Sequence, residues 1–286
     1  MFGKRSDGKR LKNIDPIILM TSYIMPERND AMVHNLLEEN CDGLDAFIRK
    51  KAEEGVKVTY MDVLICVLMR MYAERPKMNR FIMNGRIYSR NDIVIGFTVK
   101  KALTEQAGET TVKLHFKGTE SFEEVRQMVH DVIAQNKGEE KSNGTDKTAR
   151  FLLRTPRFLL KMAMGLIRFM DRHGMIPKKL IEVSPFHASC FLTNMKSISS
   201  TYVYHHIYNF GTIGLFVGLG KEQIKAFFNE EKNEFEPKKV VQLGLVIDER
   251  ICDGFYNAKS IKLCRKYIKF PELMEEGLKE LPKDEG

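Results

Sequence analysis

The sequence predicts an α/β domain built around a mixed β-sheet, on three observations. Apolar residues make up 43% and charged residues 29% of the 286-residue chain, which is the composition of an ordinary globular protein. Apolar runs typical of buried strands are interspersed with helical segments. The strands and helices do not alternate regularly, and no segment repeats another, so we expect one domain rather than an array of repeated units.

The predicted helices follow from apolar patterns and boundary residues. Residues 58–74 are apolar at nearly every turn, which predicts a helix buried on most sides. Residues 120–136 are amphipathic, and Ser121 is a suitable residue to begin a helix. A further helix at 253–268 carries an acid, Asp253, in its first turn. Helices are also predicted at 43–54 and from Pro156 onward.

The predicted strands are short runs rich in apolar residues. The run at 92–99 is continuous and apolar, as a central strand would be. The run at 240–248 is the other strong strand, and it is preceded by a predicted polar turn at 230–236. The remaining predicted strands are 81–83, 110–116, 189–194 and 213–219, and a loop is predicted at 137–148.

The cysteines and the apolar segments indicate a cytoplasmic protein. The five cysteines are odd in number and show no CxxC spacing, so we expect reduced, buried thiols. No apolar run closely follows the basic N-terminus, so we predict no signal peptide. The sequence contains no uncharged stretch of about 18 apolar residues, so we predict no membrane-spanning segment. The histidines have no ligand spacing, so we predict no metal site.

The net charge of +8 is concentrated in one segment. Residues 150–180 hold eight basic side chains against one acid, Asp171, which gives +7 and leaves the rest of the chain nearly neutral. The sequence also lacks a helix-turn-helix, a zinc finger and an aromatic RNA-binding signature. We therefore predict no nucleic-acid partner.

Residues 248–254, DERICDG, join the strand at 240–248 to the helix at 253–268. This strand–turn–helix resembles the His-x-x-x-Asp-Gly active-site motif of coenzyme A-dependent acyltransferases. The most similar family is the catalytic domain of the dihydrolipoamide acyltransferases of 2-oxoacid dehydrogenase complexes, and chloramphenicol acetyltransferase is a more distant relative. Further resemblances follow in consistent order: RPKMN at 75–79, VIGFTV at 94–99, FLTNM at 191–195, residues 204–209 and 214–220, and KFPEL at 269–273.

The resemblance covers about residues 30–275 and implies the chloramphenicol acetyltransferase-like fold, two layers made of a mixed β-sheet and packed helices. It leaves 1–29 as an N-terminal arm, about 148–180 as a basic helical insertion and 276–286 as a charged tail. In this family the domain forms homotrimers, and each active site lies between two subunits. Coenzyme A or acyl-coenzyme A is the implied substrate, with a small-molecule thioester and an acceptor as partners.

The family mechanism implies roles for particular residues. The motif histidine takes a proton from a thiol, the thiolate attacks an acyl thioester, and a hydroxyl on a facing strand stabilises the oxyanion. The hydroxyl position falls on Thr193, and Glu249 stands where the family has histidine. Asp253 matches the structural aspartate of the motif, for which Arg28 is the implied partner. The implied substrate-binding residues are His205, His206, Asn194 and Gly254.

Glu249 is the main departure from the family motif. A glutamate has an ordinary pKa of about 4.3 and a thiol of about 8.5, so transferring the thiol proton is uphill by roughly 5–6 kcal/mol. Histidine would close about half of that gap. Two interpretations stay open: an acyltransferase with Glu249 beside the reacting atoms, or a non-catalytic trimer that kept the fold. Without the resemblance, Glu249 would be interpreted as a solvated turn residue and Thr193 as an ordinary β-strand residue.

His205 and His206 are adjacent in a predicted strand, so we expect their side chains to point to opposite faces. One of them would then face the cavity and supply the missing base. The alternative is that both are ordinary packed or surface histidines.

The basic segment has three interpretations. The helix that begins at Pro156 is apolar around most of its circumference, and its narrow polar stripe comprises Lys161, Gly165, Arg168 and Arg172. It packs against the domain or a trimer neighbour, or it lies on an anionic membrane surface, or it binds a protein or the phosphates of coenzyme A. No lipoyl domain precedes residue 30, so we expect a stand-alone acyltransferase.

Overall fold

The computed structural model describes residues 5–100, 109–136 and 154–284. The strands are β1 (Gly8–Arg10), β2 (Met32–Asn40), β3 (Arg80–Met83), β4 (Arg86–Arg90), β5 (Ile93–Lys100), β6 (Glu109–Phe116), β7 (Cys190–Asn194), β8 (Leu215–Leu219), β9 (Gln223–Asn229) and β10 (Glu234–Asp248). The helices are α1 (Pro16–Ile24), α2 (Asp42–Glu53), α3 (Tyr60–Glu74), α4 (Phe122–Asn136), α5 (Arg157–Arg172), α6 (Lys178–Val183) and α7 (Gly254–Lys269).

The main sheet is mixed, as the sequence predicts. Its strand order is β2-β10-β8-β7-β5-β6, and β9 pairs with the first half of β10. β7 runs parallel to both of its neighbours, β5 and β8, and the other pairs are antiparallel. A small antiparallel sheet has the order β1-β4-β3.

Helices α2, α3, α4 and α7 share the main hydrophobic core with one face of the sheet. Alternate residues of each central strand enter this core, because successive side chains of a strand point to opposite faces. All but the last residue of α3 are buried, which confirms the prediction of a helix enclosed on most sides. The result is the predicted two-layer arrangement of sheet and helices.

Local signals define the boundaries of the buried helix α3. The Asp62 carboxylate accepts a hydrogen bond from the Thr59 amide at 2.7 Å, and the Thr59 hydroxyl accepts one from the Asp62 amide at 3.3 Å. This reciprocal capping box satisfies amides that have no partner inside the helix. The helix ends before Pro76, which begins a short 3-10 helix.

The opposite face of the sheet carries a smaller core and an extended segment, residues 201–208. This segment crosses the sheet where the strands have glycines: a Cβ atom at Gly218 or Gly244 would lie 2.6 or 2.2 Å from the Val203 carbonyl oxygen. Glycine therefore permits the close crossing. The segment forms no strand in either described sheet, so the prediction that the two histidines lie in a strand is wrong.

Several elements depart from the sequence prediction. Residues 8–24 contain β1 and α1, where the sequence predicted no helix or strand. Strand β2 was not predicted either, because only Leu37 of its nine residues is fully buried. The predicted polar turn at 230–236 is narrower, since β10 already begins at Glu234 and pairs with β9. Strand β9 and residues 234–239 of β10 are exposed or half-buried, so this hairpin lacks the continuous apolar run that marks a central strand.

One side of α5 packs against the domain. Its residues on that side are half-buried, and Asp171 is fully buried. The Asp171 carboxylate accepts a hydrogen bond from Arg5 Nη1 at 2.7 Å and lies 3.2 Å from His187 Nε2. Burial alone would raise the pKa of Asp171, but its hydrogen bonds and the charges of His187 and Arg5 lower it to about 2. This buried network holds the end of α5 against the N-terminal segment.

The other side of α5 exposes an apolar band, which we call the outer stripe: Phe158, Leu159, Met162, Leu166 and Phe169. The exposed basic residues Lys161, Arg168 and Arg172 run beside it. The described residues therefore cover only part of the apolar circumference of this helix. Across residues 5–100, 109–136 and 154–284, no helix combines the length and the apolar character needed to cross a membrane.

Candidate functional site

The turn after β10 fixes the position of Glu249. The side chains on either side of it, Asp248 and Arg250, are buried and form a two-point ion pair, with Arg250 Nε and Nη2 each donating at 2.7 Å. Arg250 Nη1 also donates to the Met25 carbonyl oxygen at 2.8 Å. Because both neighbours are held inside, Glu249 is exposed at the apex of the turn.

Asp253 begins the helix that follows the turn. Its carboxylate accepts a hydrogen bond from the Tyr256 amide at 2.8 Å, which makes it the N-cap of α7. Gly254 is the first residue of the helix, and a Cβ atom there would meet nothing within 4 Å. Asp253 is exposed and has the structural role of a helix start.

The structure assigns Arg28 a different partner from the one that the resemblance implies. Arg28 Nε lies 4.0 Å from Asp248 Oδ2, and the guanidinium donates to the carbonyl oxygens of Asn209 and Ile82 at 3.0 and 3.2 Å. The expected pairing of Arg28 with Asp253 is therefore wrong. The reason is burial: Asp248 lies inside beside Arg28, whereas Asp253 faces solvent.

Thr193 and Asn194 lie at the end of β7. Both are half-buried, and Thr193 faces Gly218 in the parallel pairing of β7 with β8. The Thr193 hydroxyl has a long contact of 3.9 Å with Met195 Sδ, which leaves it available as a donor. The Asn194 side chain accepts from the Ser197 amide at 3.2 Å and so caps the 3-10 helix that follows.

Thr193 and Glu249 lie at opposite ends of the sheet in one chain. Thr193 is level with Gly218 of β8, whereas Glu249 lies two residues beyond Ile247, which faces Leu215. The separation is five strand positions, or about 16 Å along the strands. A single chain therefore does not bring the two side chains together, and a shared site would need a second copy.

The two adjacent histidines stack on each other instead of pointing to opposite faces. Their ring centroids are 4.9 Å apart, and His205 also stacks on Phe216 at 4.2 Å. The expectation of opposite faces is wrong, because residues 201–208 do not pair as a strand and the two-residue alternation does not apply. His205 is half-buried over the second face of the sheet, and His206 is exposed.

Cys252 lies inside the motif but is not suited to act as a nucleophile. Its side chain is buried against Met78, with 3.6 Å between the sulfur atoms. Burial raises the pKa of the Cys252 thiol to about 12, so it stays protonated at neutral pH. All five cysteines are buried free thiols, and among the described residues no group of three or more His, Cys, Asp or Glu side chains is arranged to hold a metal.

Sequence reasoning missed the pair formed by Asp248 and Arg250. The available signal was that Asp248 and Arg250 flank Glu249 in DERICDG. In an extended chain, both side chains would point to the side opposite that of Glu249. An ion pair so close in sequence is invisible until the burial of both side chains is known.

Three solved structures have folds similar to this chain. A probable dihydrolipoamide acetyltransferase from Listeria monocytogenes is 13% identical, with a TM-score of 0.57 over 91% of this chain and 94% of that chain. A chloramphenicol acetyltransferase is 12% identical, with a TM-score of 0.56 over 92% and 100%. The truncated catalytic core of a 2-oxoacid dehydrogenase complex from Thermoplasma acidophilum is 15% identical, with a TM-score of 0.52 over 92% and 99%. No protein-family model and no curated protein matches the sequence.

These similarities define the fold class. The chain has the chloramphenicol acetyltransferase-like fold, as the sequence predicts. Within that class it is similar in structure to a probable dihydrolipoamide acetyltransferase and to a 2-oxoacid dehydrogenase catalytic core, at 13% and 15% sequence identity.

Proposed function

We propose that this protein is an acyltransferase that takes an acyl group from coenzyme A or a related thioester. The observation that carries the proposal is the turn after β10, where the buried pair of Asp248 and Arg250 leaves Glu249 exposed at the apex. The resemblance aligns Glu249 with the motif base. The fold around this turn is similar in structure to acyltransferase cores over about nine tenths of the chain.

In the proposed reaction, Glu249 accepts the proton of the acceptor nucleophile as that atom attacks the thioester carbonyl carbon. The Thr193 hydroxyl of a neighbouring subunit donates a hydrogen bond to the oxyanion that forms. Collapse of the tetrahedral intermediate breaks the carbon–sulfur bond, and the departing thiolate recovers the proton from Glu249. Asp253 orients the turn by beginning α7. His205, His206, Asn194 and Gly254 would line the substrate path.

The spacing within the motif supports this assignment. An Azotobacter vinelandii dihydrolipoamide acetyltransferase of similar structure, with a TM-score of 0.51 and 16% identity, has been studied for the roles of a serine, a histidine and an asparagine in its mechanism. The histidine and the asparagine are four positions apart in that protein. Glu249 and Asp253 have the same spacing here.

The proposal is tested by release of coenzyme A from acetyl-coenzyme A with a panel of thiol, hydroxyl and amine acceptors. The wild type should release thiol, and Glu249→Gln should release it at least tenfold more slowly because the proton acceptor is lost. Glu231→Gln removes an exposed carboxylate from the β9–β10 turn and serves as the matched control. Failure of coenzyme A and acetyl-coenzyme A to bind at millimolar concentrations would contradict the proposal.

A non-catalytic trimer is the second candidate, because a carboxylate is a poor base for a thiol. In that case the protein binds coenzyme A or another ligand without transferring an acyl group. Binding without turnover, for every acceptor and for the wild type as well as Glu249→Gln, would identify it.

We expect a homotrimer of about 100 kDa, three chains of 33.1 kDa each. The physical reason is the separation of Thr193 from Glu249, which a second copy has to bridge if both act in one site. Light scattering at micromolar concentration measures the mass directly. A monomer would remove the role that we give Thr193.

We expect a neighbouring subunit to cover the outer stripe of α5. Replacing Leu159, Met162 and Leu166 with Ser should then lower the melting temperature and promote dissociation, because each fully buried side chain of this size contributes roughly 1.5–3 kcal/mol. Scanning calorimetry and light scattering measure both effects.

The control is a triple variant in which Lys161, Arg168 and Arg172 are changed together to Gln, and it should leave assembly intact. Flotation of the wild type with anionic vesicles, lost in that triple Gln variant or at high salt, would assign the stripe to a membrane surface instead.

A further inference from the structure

A cavity of about 830 Å³ lies between α1, α5 and the turn that joins β3 to β4. Its volume is within the range of roughly 300–1,000 Å³ that small-molecule sites occupy. One wall comes from the basic insertion helix, through Gly165, Arg168 and Phe169, and the opposite wall comes from α1, through Ser22 and Tyr23.

The lining of this cavity is rich in arginine. Four arginines and two acids contribute to it: Arg28, Arg168, Arg172, Arg250, Glu27 and Asp171. Most of these charges already have a partner. Arg172 pairs with Glu27 at 2.5 Å, and Asp171 accepts from Arg5 at 2.7 Å. Arg250 is held by Asp248, which does not line the cavity.

Arg28 is incompletely paired, and Arg168 has no ion pair. The two Nη atoms of Arg28 donate to the carbonyl oxygens of Asn209 and Ile82, which leaves Nε as its open donor. The side chain of Arg28 is only 5% exposed, its Nε has no hydrogen-bond partner, and its nearest carboxylate oxygen, on Asp248, is 4.0 Å away. Burial lowers the pKa of Arg28 to about 10 even though the Asp248 charge opposes the shift. Arg168 is exposed at the cavity, and no acid in the described part of the chain forms an ion pair with it.

The remaining lining is largely apolar. Tyr23 and Phe169 line the cavity from the two helices, while Ile82 and Met83 lie at the end of β3 and Phe210 follows the extended segment. A ligand that fills this space therefore meets apolar side chains along its body. Arginine guanidinium groups recognise phosphate and carboxylate groups through paired hydrogen bonds.

We propose that this cavity binds an anionic amphiphile, with a phosphate or carboxylate group at Arg28 and Arg168 and an apolar chain against the aromatic wall. The inference rests on the cavity and its charges and does not depend on acyl transfer. Its readout is binding, so its outcome is distinct from that of the thiol-release assay.

Isothermal titration calorimetry tests the proposal with four probes below their micelle concentrations: octyl phosphate, octanoate, octanol and inorganic phosphate. Octyl phosphate and octanoate should bind at least tenfold more tightly than octanol, because octanol lacks the charge that the arginines pair with. Both should also bind more tightly than inorganic phosphate, which has no apolar body. Octanol or inorganic phosphate binding as tightly as octyl phosphate would overturn the proposal.

A matched pair of variants locates the site. Arg168→Gln should weaken octyl phosphate binding at least tenfold, since it removes a charge that lines the cavity. Lys161→Gln also removes one positive charge from the exposed basic residues that run beside the outer stripe of α5. Lys161 does not line the cavity, so this variant should change the affinity less than twofold. Both side chains are exposed, so neither change is expected to disturb folding. Equal losses in the two variants would contradict a site in this cavity.

Discussion

Thr193→Ala is expected to lower acyl transfer by about 100- to 1,000-fold, the loss that follows removal of one oxyanion donor. The Thr193 hydroxyl has a long contact with Met195 Sδ and no stronger partner in the described residues, so it is free to donate to a developing oxyanion. The measurement is the rate of thiol release from acetyl-coenzyme A at saturating donor and the best acceptor.

Thr193→Ser and Thr193→Val separate this role from packing. Serine keeps the donor and should retain activity within about tenfold, whereas valine keeps the volume and should be as slow as alanine. The side chain is only half-buried, so all three variants should fold. An active valine variant would show that the hydroxyl is not the oxyanion donor.

Glu249→His is expected to raise thiol-dependent transfer by at least tenfold at pH 7–8. An imidazole reduces the difference in ordinary pKa between base and thiol from about four units to about two. If at least half of this difference of about two units is expressed in the rate, transfer is about tenfold faster or more. Since Glu249 is exposed at the apex of its turn, the larger ring should cost little stability. The rate of the variant should rise with pH between about 5.5 and 7.5, as the imidazole loses its proton.

Thermal melting of Glu249→His provides the control, because its transition should match that of the wild type. A folded histidine variant that is no faster under saturating donor would place Glu249 outside the base position. It would also favour the non-catalytic trimer.

The sequence predicted the elements whose apolar pattern is continuous. Helix α3 and strand β5 are buried almost throughout, so their composition alone identifies them. Strand β2 is mostly half-buried and β9 is largely exposed, and such strands carry too many polar residues to be distinguished from a loop. The close crossing of residues 201–208 over Gly218 and Gly244 depends on tertiary structure, which no local pattern reveals.

The position of the turn after β10 was predictable from the sequence, but the contacts around it were not. The motif DERICDG located Glu249 and the start of α7, and both are where the sequence placed them. The partner of Arg28 was wrong, because spacing does not tell which of Asp248 and Asp253 is buried. The separation of Thr193 from Glu249 follows from strand register, which the sequence does not specify.

Complementation between two inactive variants tests most directly whether subunits share the site. Chains with Thr193→Ala and chains with Glu249→Gln would be co-expressed with different tags, and assemblies that carry both tags would be isolated. In a cyclic trimer of mixed composition, about one in three interfaces joins an intact Thr193 to an intact Glu249. We predict about one third of the wild-type rate of thiol release. Mixed trimers no more active than either variant alone would contradict a catalytic site formed by Thr193 and Glu249 of neighbouring subunits.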